Sequence, residues 1–232
     1  MFMNIETRLR DSLHEKGREL NPSPSLKMNV MISVTSGKQK TKKRIIAGIL
    51  VASLLIPTGA FASKSFLADG LYGSFDNLKR HIATATMEGY LRLDAKLAQA
   101  KGDLEDEEYR KFIGLVKKVT DSKLELGDKY GNINYDALSQ EKEAELEKVY
   151  LEIQPYFDQL NGDLSSKELL SEKEYIQYID SLMTHEEVLA KSGINPDHYV
   201  EIKEIPSSLQ SEFKEARDFV EYVNEKQMAY KE

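Results

Sequence analysis

Cysteine is absent from the 232-residue chain. That excludes disulfides, thiolate zinc sites, a cysteine nucleophile and a lipid-modified cysteine, so an exported domain of this sequence must rely on its apolar core. Histidine is scarce, with four residues. His185-Glu186-Glu187 resembles the start of a zinc helix, but Leu189 stands where the second ligand belongs. His14, His81 and His198 have no metal-like spacing. Asp128 to Ser139 has the Asp and Asn density of a calcium loop, yet Tyr130 fills a ligand position and Ser139 replaces the closing glutamate; the stretch reads as a turn. No phosphate-cradling glycine loop, nucleophile elbow or paired His–acid motif occurs. The expectation is a protein that is not an enzyme and has no metal or cofactor.

Charge is present but unevenly placed. Residues 1–44 carry ten Lys/Arg and four Asp/Glu, a net of +6, and residues 45–62 carry none. Residues 63–232 carry 22 Lys/Arg and 35 Asp/Glu, a net of −13. Such an asymmetry points to ends that work in different compartments or with different partners, and the acidic part is unsuited to direct nucleic-acid binding.

The uncharged run Ile45–Ala62 would span about 27 Å as a helix, close to the roughly 30 Å hydrocarbon core of a bilayer. It has no polar face, as a buried core helix should. Lys38, Lys40, Lys42, Lys43 and Arg44 precede it, whereas only Lys64 follows closely. By the positive-inside bias Lys42, Lys43 and Arg44 set the topology, with the amino terminus cytoplasmic and residues 63–232 outside. Ala60 and Ala62 also satisfy the small-residue rule of a signal cleavage site, with Pro57 placed to break the helix before it. A start at Met28 would give a long signal peptide. The segment is therefore a single-pass anchor or a cleavable signal, and the organised leader in front of it favours the anchor.

In that leader Ile5, Leu9, Leu13 and Leu20 fall near one helical stripe, and Asn4 can cap it. "NPSPS" at 21–25 breaks the helix, and Leu26, Val30 and Met31 suggest a second apolar turn. A helix of about 15 residues is marginal alone in water, so this stripe should fold fully against a partner. The competing reading is a solvated tail or a basic segment lying on anionic lipid.

Beyond Ser63 the spacing predicts an all-α domain of five main helices. Ser74 caps a helix running to Gly102 with Phe75, Leu78, Ile82, Leu93 and Leu97 on its stripe. Glu105–Leu126 follows, then a turn-rich "GDKYGNINYD". Ser139 opens a helix that Pro155 should kink or end early. Ser171 and Glu174 form a capping box for a helix through Ile176, Ile179 and Leu182, with a restart at Thr184/Glu187. "YVEIKEI" can form a short strand, and Pro206 and Ser207 start the last helix.

The stretches "NIETRLRDSL", "KKRIIAGILVASLLIPTGAFAS", "LYGSFDNLKRHIATATMEGY", "GDKYGNINYD", "EIQPYFDQLNG" and "KSGINP" resemble the negative effectors of extracytoplasmic-function (ECF) sigma factors of Gram-positive spore-formers. These are membrane-bound anti-sigma factors whose outer domain has no assigned function. The resemblance runs over nearly the whole chain and lies in long stretches, not in a catalytic signature. It implies a cytoplasmic sigma-binding segment at 1–37, a basic stop at 38–44, a transmembrane helix at 45–62 and an extracytoplasmic helical domain at 63–232 that senses envelope conditions. The ECF sigma factor would bury Ile5, Leu9, Leu13, Leu20, Leu26 and Val30. Release would follow a regulatory protease cutting near Ala60–Ala62 or within the membrane, or a conformational shift. With no cysteine, the zinc and thiol-redox variants of the anti-sigma plan are excluded. The alternative is a secreted or surface-held helical binding protein freed by cleavage near Ala62.

Overall fold

Ser74, Thr86, Ser139 and Ser171 each turn a side-chain oxygen onto a backbone N–H three residues ahead, the interaction that lets a helix begin without an orphaned donor. The computed structural model describes residues 66–230. Among these there are eight α-helices and no strand, so the domain is all-α as its sequence predicts. In order they are α1 (Asp69–Tyr72), α2 (Phe75–His81), α3 (Met87–Asp103), α4 (Asp106–Leu126), α5 (Gln140–Leu160), α6 (Ser166–Leu169), α7 (Glu172–Ser192) and α8 (Gln210–Ala229), with 3-10 turns at Tyr135–Ala137 and Ile202–Glu204. The leader, the basic stop and the apolar run 45–62 lie outside the described residues. Among the described residues no helix is long and apolar enough to cross a membrane.

Several boundaries differ from the sequence pattern. The helix expected from Ser74 to Gly102 is two helices. α2 stops after His81, and Thr86 takes a new cap on the Gly89 N–H at 3.1 Å. The apolar spacing continues in phase across Ile82–Thr86, which hides the break, but two threonines and an isoleucine in five residues make a poor helix interior. Pro155 does not end α5, which continues to Leu160. α7 runs unbroken through Thr184 to Ser192 and closes on Gly193 in the left-handed conformation (φ 63°), so no restart occurs. The expected strand at 199–205 is irregular chain and a 3-10 turn, because no second strand lies beside it to satisfy its ladder. The last helix begins at Gln210, after a turn over Pro206–Leu209.

α7 and α8 form the most extensive helix pair, α4 and α5 pack together, and α5 bridges to α7. The main core runs through all of them, with Tyr90, Leu97, Val119, Ile153 and Ile179 buried. A smaller cluster of Val188, Leu189, Val200, Ile205 and Phe213 joins the end of α7 to the start of α8 and roofs the 194–209 segment. Each fully buried Leu, Ile, Val or Phe contributes roughly 1.5–3 kcal/mol, and a disulfide-free domain has no covalent substitute. On α7 the stripe is carried by Tyr175, Tyr178 and Ile179, while Ile176 is exposed; the helix is rotated from the phase expected.

Candidate functional site

The expected sigma-binding residues Ile5, Leu9, Leu13, Leu20, Leu26 and Val30 lie outside the described residues. So do the topology-setting Lys42, Lys43 and Arg44 and the cleavage candidates Ala60 and Ala62. One sealed polar cluster of the described domain links four parts of the chain.

Its centre is Glu186 on α7, with no exposed surface, paired to the buried Lys123 of α4. Glu186 Oε1 also accepts the Ile133 N–H at 3.1 Å, and Oε2 accepts the Tyr135 hydroxyl at 3.0 Å. Tyr135 in turn lies 2.9 Å, oxygen to oxygen, from the Tyr150 hydroxyl of α5. Lys123 Nζ gives a further hydrogen bond to the Gly131 carbonyl at 3.1 Å. A buried carboxylate and ammonium are each costly unless paired and hydrogen-bonded. Here the 127–135 loop supplies further hydrogen bonds to both charges of the pair. Burial, followed by the charge of Glu186, pushes the hydroxyl of Tyr135 well above its usual range. Burial does the same for Tyr150. Both tyrosines are therefore neutral donors. With both Glu186 oxygens engaged, the cluster can clamp the loop onto α4, α5 and α7.

The loop itself shows what its Asp and Asn residues do. Asp128 Oδ1 accepts the backbone N–H groups of Tyr130 at 2.8 Å and Asn132 at 3.0 Å, and Asn132 Nδ2 reaches the Ile194 carbonyl at 3.3 Å. Gly131 holds φ at +81° with Ile82 packed against it. The stretch is the turn its sequence suggested, its carboxylate spent on backbone donors. His185, the other metal candidate, is buried and stacked on Phe213 of α8 (centroids 4.7 Å apart). Burial, and then the Arg217 guanidinium, holds its imidazole down at about 4. Among the described residues no group of three or more His, Asp or Glu is arranged to hold a metal ion. His198 is on the surface between Asp197 and Glu204. His81 is also exposed and lies 3.0 Å from the Asn77 carbonyl of its own helix.

The class defined by this fold is a helical domain with a buried, closed polar centre. Residues 65–226 match a family model described as a domain of unknown function (DUF3600), and the chain belongs to that family. No curated protein matches the chain. Sequence reasoning touched Glu186 only as part of a failed zinc pattern. The available signal was its position beside Val188 and Leu189, on the inward face of α7.

Proposed function

We propose that the chain is a membrane-anchored anti-sigma factor, in which residues 1–37 sequester an ECF sigma factor in the cytoplasm and the DUF3600 domain reads conditions outside the membrane. The observation that carries this reading is the position of one seam. The uncharged run ends at Ala62, the family match begins at residue 65, and Ala68 is already fully buried in the bundle. Five Lys/Arg at 38–44 directly precede a membrane-length apolar segment and only Lys64 follows it closely, which is the flanking-charge layout of a single-pass protein with its amino terminus inside. The resemblance of the quoted stretches to sigma-factor negative effectors supplies the partner. The apolar stripe of Ile5, Leu9, Leu13 and Leu20 supplies a surface in need of one. The outer domain binds or senses and performs no catalysis on this reading.

Ala60 and Ala62 favour a second reading, a helical binding protein released by signal cleavage. One experiment separates them: capture through an amino-terminal tag from detergent-solubilised membranes of the native host, with the mass of the tagged chain recorded. A full-length chain carrying a sigma factor supports the anchored regulator. A short tagged fragment without a partner, with the chain from Ser63 onward in the medium, overturns it.

A further inference from the structure

We propose that the amino-terminal edge of the bundle, formed by Leu67 and the first two turns of α3, rests on the anionic outer surface of the membrane that anchors the chain. The inference deepens the anchored reading above and rests on it.

Three large apolar side chains stand out of the bundle at this edge: Leu67 at 37% exposure, Met87 at 45% and Leu91 at 41%. Met87 and Leu91 are one helical turn apart and share a face of α3. Leu67 is held beside that part of the helix by both of its neighbours. The Phe66 ring packs edge-on against Tyr90 with centroids 6.0 Å apart, and the Ala68 N–H donates to Asp94 at 3.1 Å. The Tyr90 hydroxyl donates to Asp69 at 2.6 Å, closing the junction from the other side. Neighbouring apolar groups left in solvent mark a contact surface more than scattered ones do.

Charge and tether length identify the occupant. Residues 64–92 carry four Lys/Arg and three Asp/Glu, whereas residues 93–232 carry 18 Lys/Arg and 32 Asp/Glu. This segment is therefore weakly basic, while the rest of the domain is acidic. Of the segment's three carboxylates, Asp69 accepts from the Tyr90 hydroxyl, the exposed Glu88 pairs with Arg92, and Asp76 is exposed. Lys79 and Arg80 are exposed and add to its positive charge. An anionic bilayer repels the rest of the domain and accepts a weakly basic, apolar edge. Four residue steps separate Ala62 from Phe66, a reach of at most about 14 Å. An apolar run that ends at Ala62 therefore keeps Leu67, five steps on, within about 18 Å of the hydrocarbon, close enough for this edge to reach the headgroups.

The chain contains no tryptophan, so single substitutions give a clean reporter. The full-length chain is reconstituted into phosphatidylglycerol-containing vesicles with brominated acyl chains, as Leu91→Trp, Met87→Trp and Leu164→Trp variants. All three sites are exposed in the fold. Leu164 is fixed elsewhere, through its carbonyl to Gln227 of α8. The expected result is blue-shifted emission and several-fold stronger quenching for Leu91→Trp and Met87→Trp than for Leu164→Trp, reduced when phosphatidylglycerol is replaced by phosphatidylcholine. Equal quenching at all three sites, in vesicles with which the chain co-floats, overturns the docked edge and leaves the anchor intact. Failure of the reconstituted chain to co-float overturns the anchored reading, and the docked edge with it.

Discussion

The Tyr175 hydroxyl of α7 donates to the Leu151 carbonyl of α5 at 2.8 Å, the carbonyl that Pro155, four residues on, cannot serve. Proline has no N–H, and its place inside a helix normally leaves a gap in the i→i−4 ladder. A side chain from the neighbouring helix fills that gap, so α5 runs on past the proline to Leu160. Tyr175→Phe should destabilise the domain by about 1–2 kcal/mol. In a Pro155→Ala background the same change should have a smaller effect, because the alanine N–H restores the donor. Urea unfolding of the detergent-solubilised chain, followed by helical circular dichroism, measures the coupling; additive effects would refute the link.

Breaking the Lys123–Glu186 pair from one side should be among the most damaging changes in the helical domain. Glu186→Gln or Lys123→Met leaves a buried charge without its partner, at a loss of about 3–5 kcal/mol. The double variant should be less destabilised than the sum of the two. Hydrogen exchange at Ile133, whose N–H is held by Glu186 at 3.1 Å, should accelerate in both single variants.

His185 gives the domain a dependence on acid. Its imidazole is held at about 4 by burial and by Arg217, below its unfolded value near 6.5. The unfolded chain therefore takes up the proton first. The stability tied to neutral His185 is fully present above pH 6.5 and is lost as pH falls toward 4, by roughly 2 kcal/mol at pH 5. His185→Phe should flatten the unfolding midpoint between pH 7 and 5 relative to the natural chain. An identical slope in both would rule out His185 as its source.

Gly131→Ala should loosen the 127–135 loop. The added Cβ would stand 2.9 Å from Ile82 Cδ1, and the residue holds φ at +81°, so the expected loss is about 1–2 kcal/mol. Ile82→Val should recover only the steric share. Melting temperatures of the two single variants and the double variant check the division.

In the cytoplasm, Leu9→Asp should place an unpaired carboxylate in the proposed sigma interface and weaken it by several kcal/mol. The expected outcome is constitutive expression of the sigma-dependent genes with the chain still in the membrane. Unchanged repression would count against the stripe as the binding face.

What could be read in the sequence was local. The caps at Ser74, Ser139 and Ser171 and the helical pattern beyond Ser63 follow from hydrogen-bond chemistry and spacing confined to a few residues. What could not be read depends on partners far along the chain. Lys123 and Glu186 are 63 positions apart, and a lysine in a charged helix gives no hint that it is buried. Pro155 was legible as a defect, but not its repair by Tyr175. The α2–α3 break was hidden because Ile82 and Ala85 keep the stripe in phase while their backbone leaves the helix. On α7 aromatic Tyr175 and Tyr178 took the inward face that Ile176 was expected to share. The residues proposed to meet the sigma factor could be named only from a stripe and a resemblance, and they lie outside the described residues.

The junction at Ala68 also limits where the chain can be cut. Its N–H is given to Asp94 and its side chain is fully buried, so a protease needing an extended substrate cannot engage there without unravelling the first turn and its grip on α3. On the proposed anchored reading, a cut that separates the bundle from the membrane and leaves its first turn folded falls before Phe66. On that reading, a signal that pried Phe66–Asp69 from α3 would lengthen the stretch open to a protease by the residues that the Tyr90 and Asp94 contacts now hold.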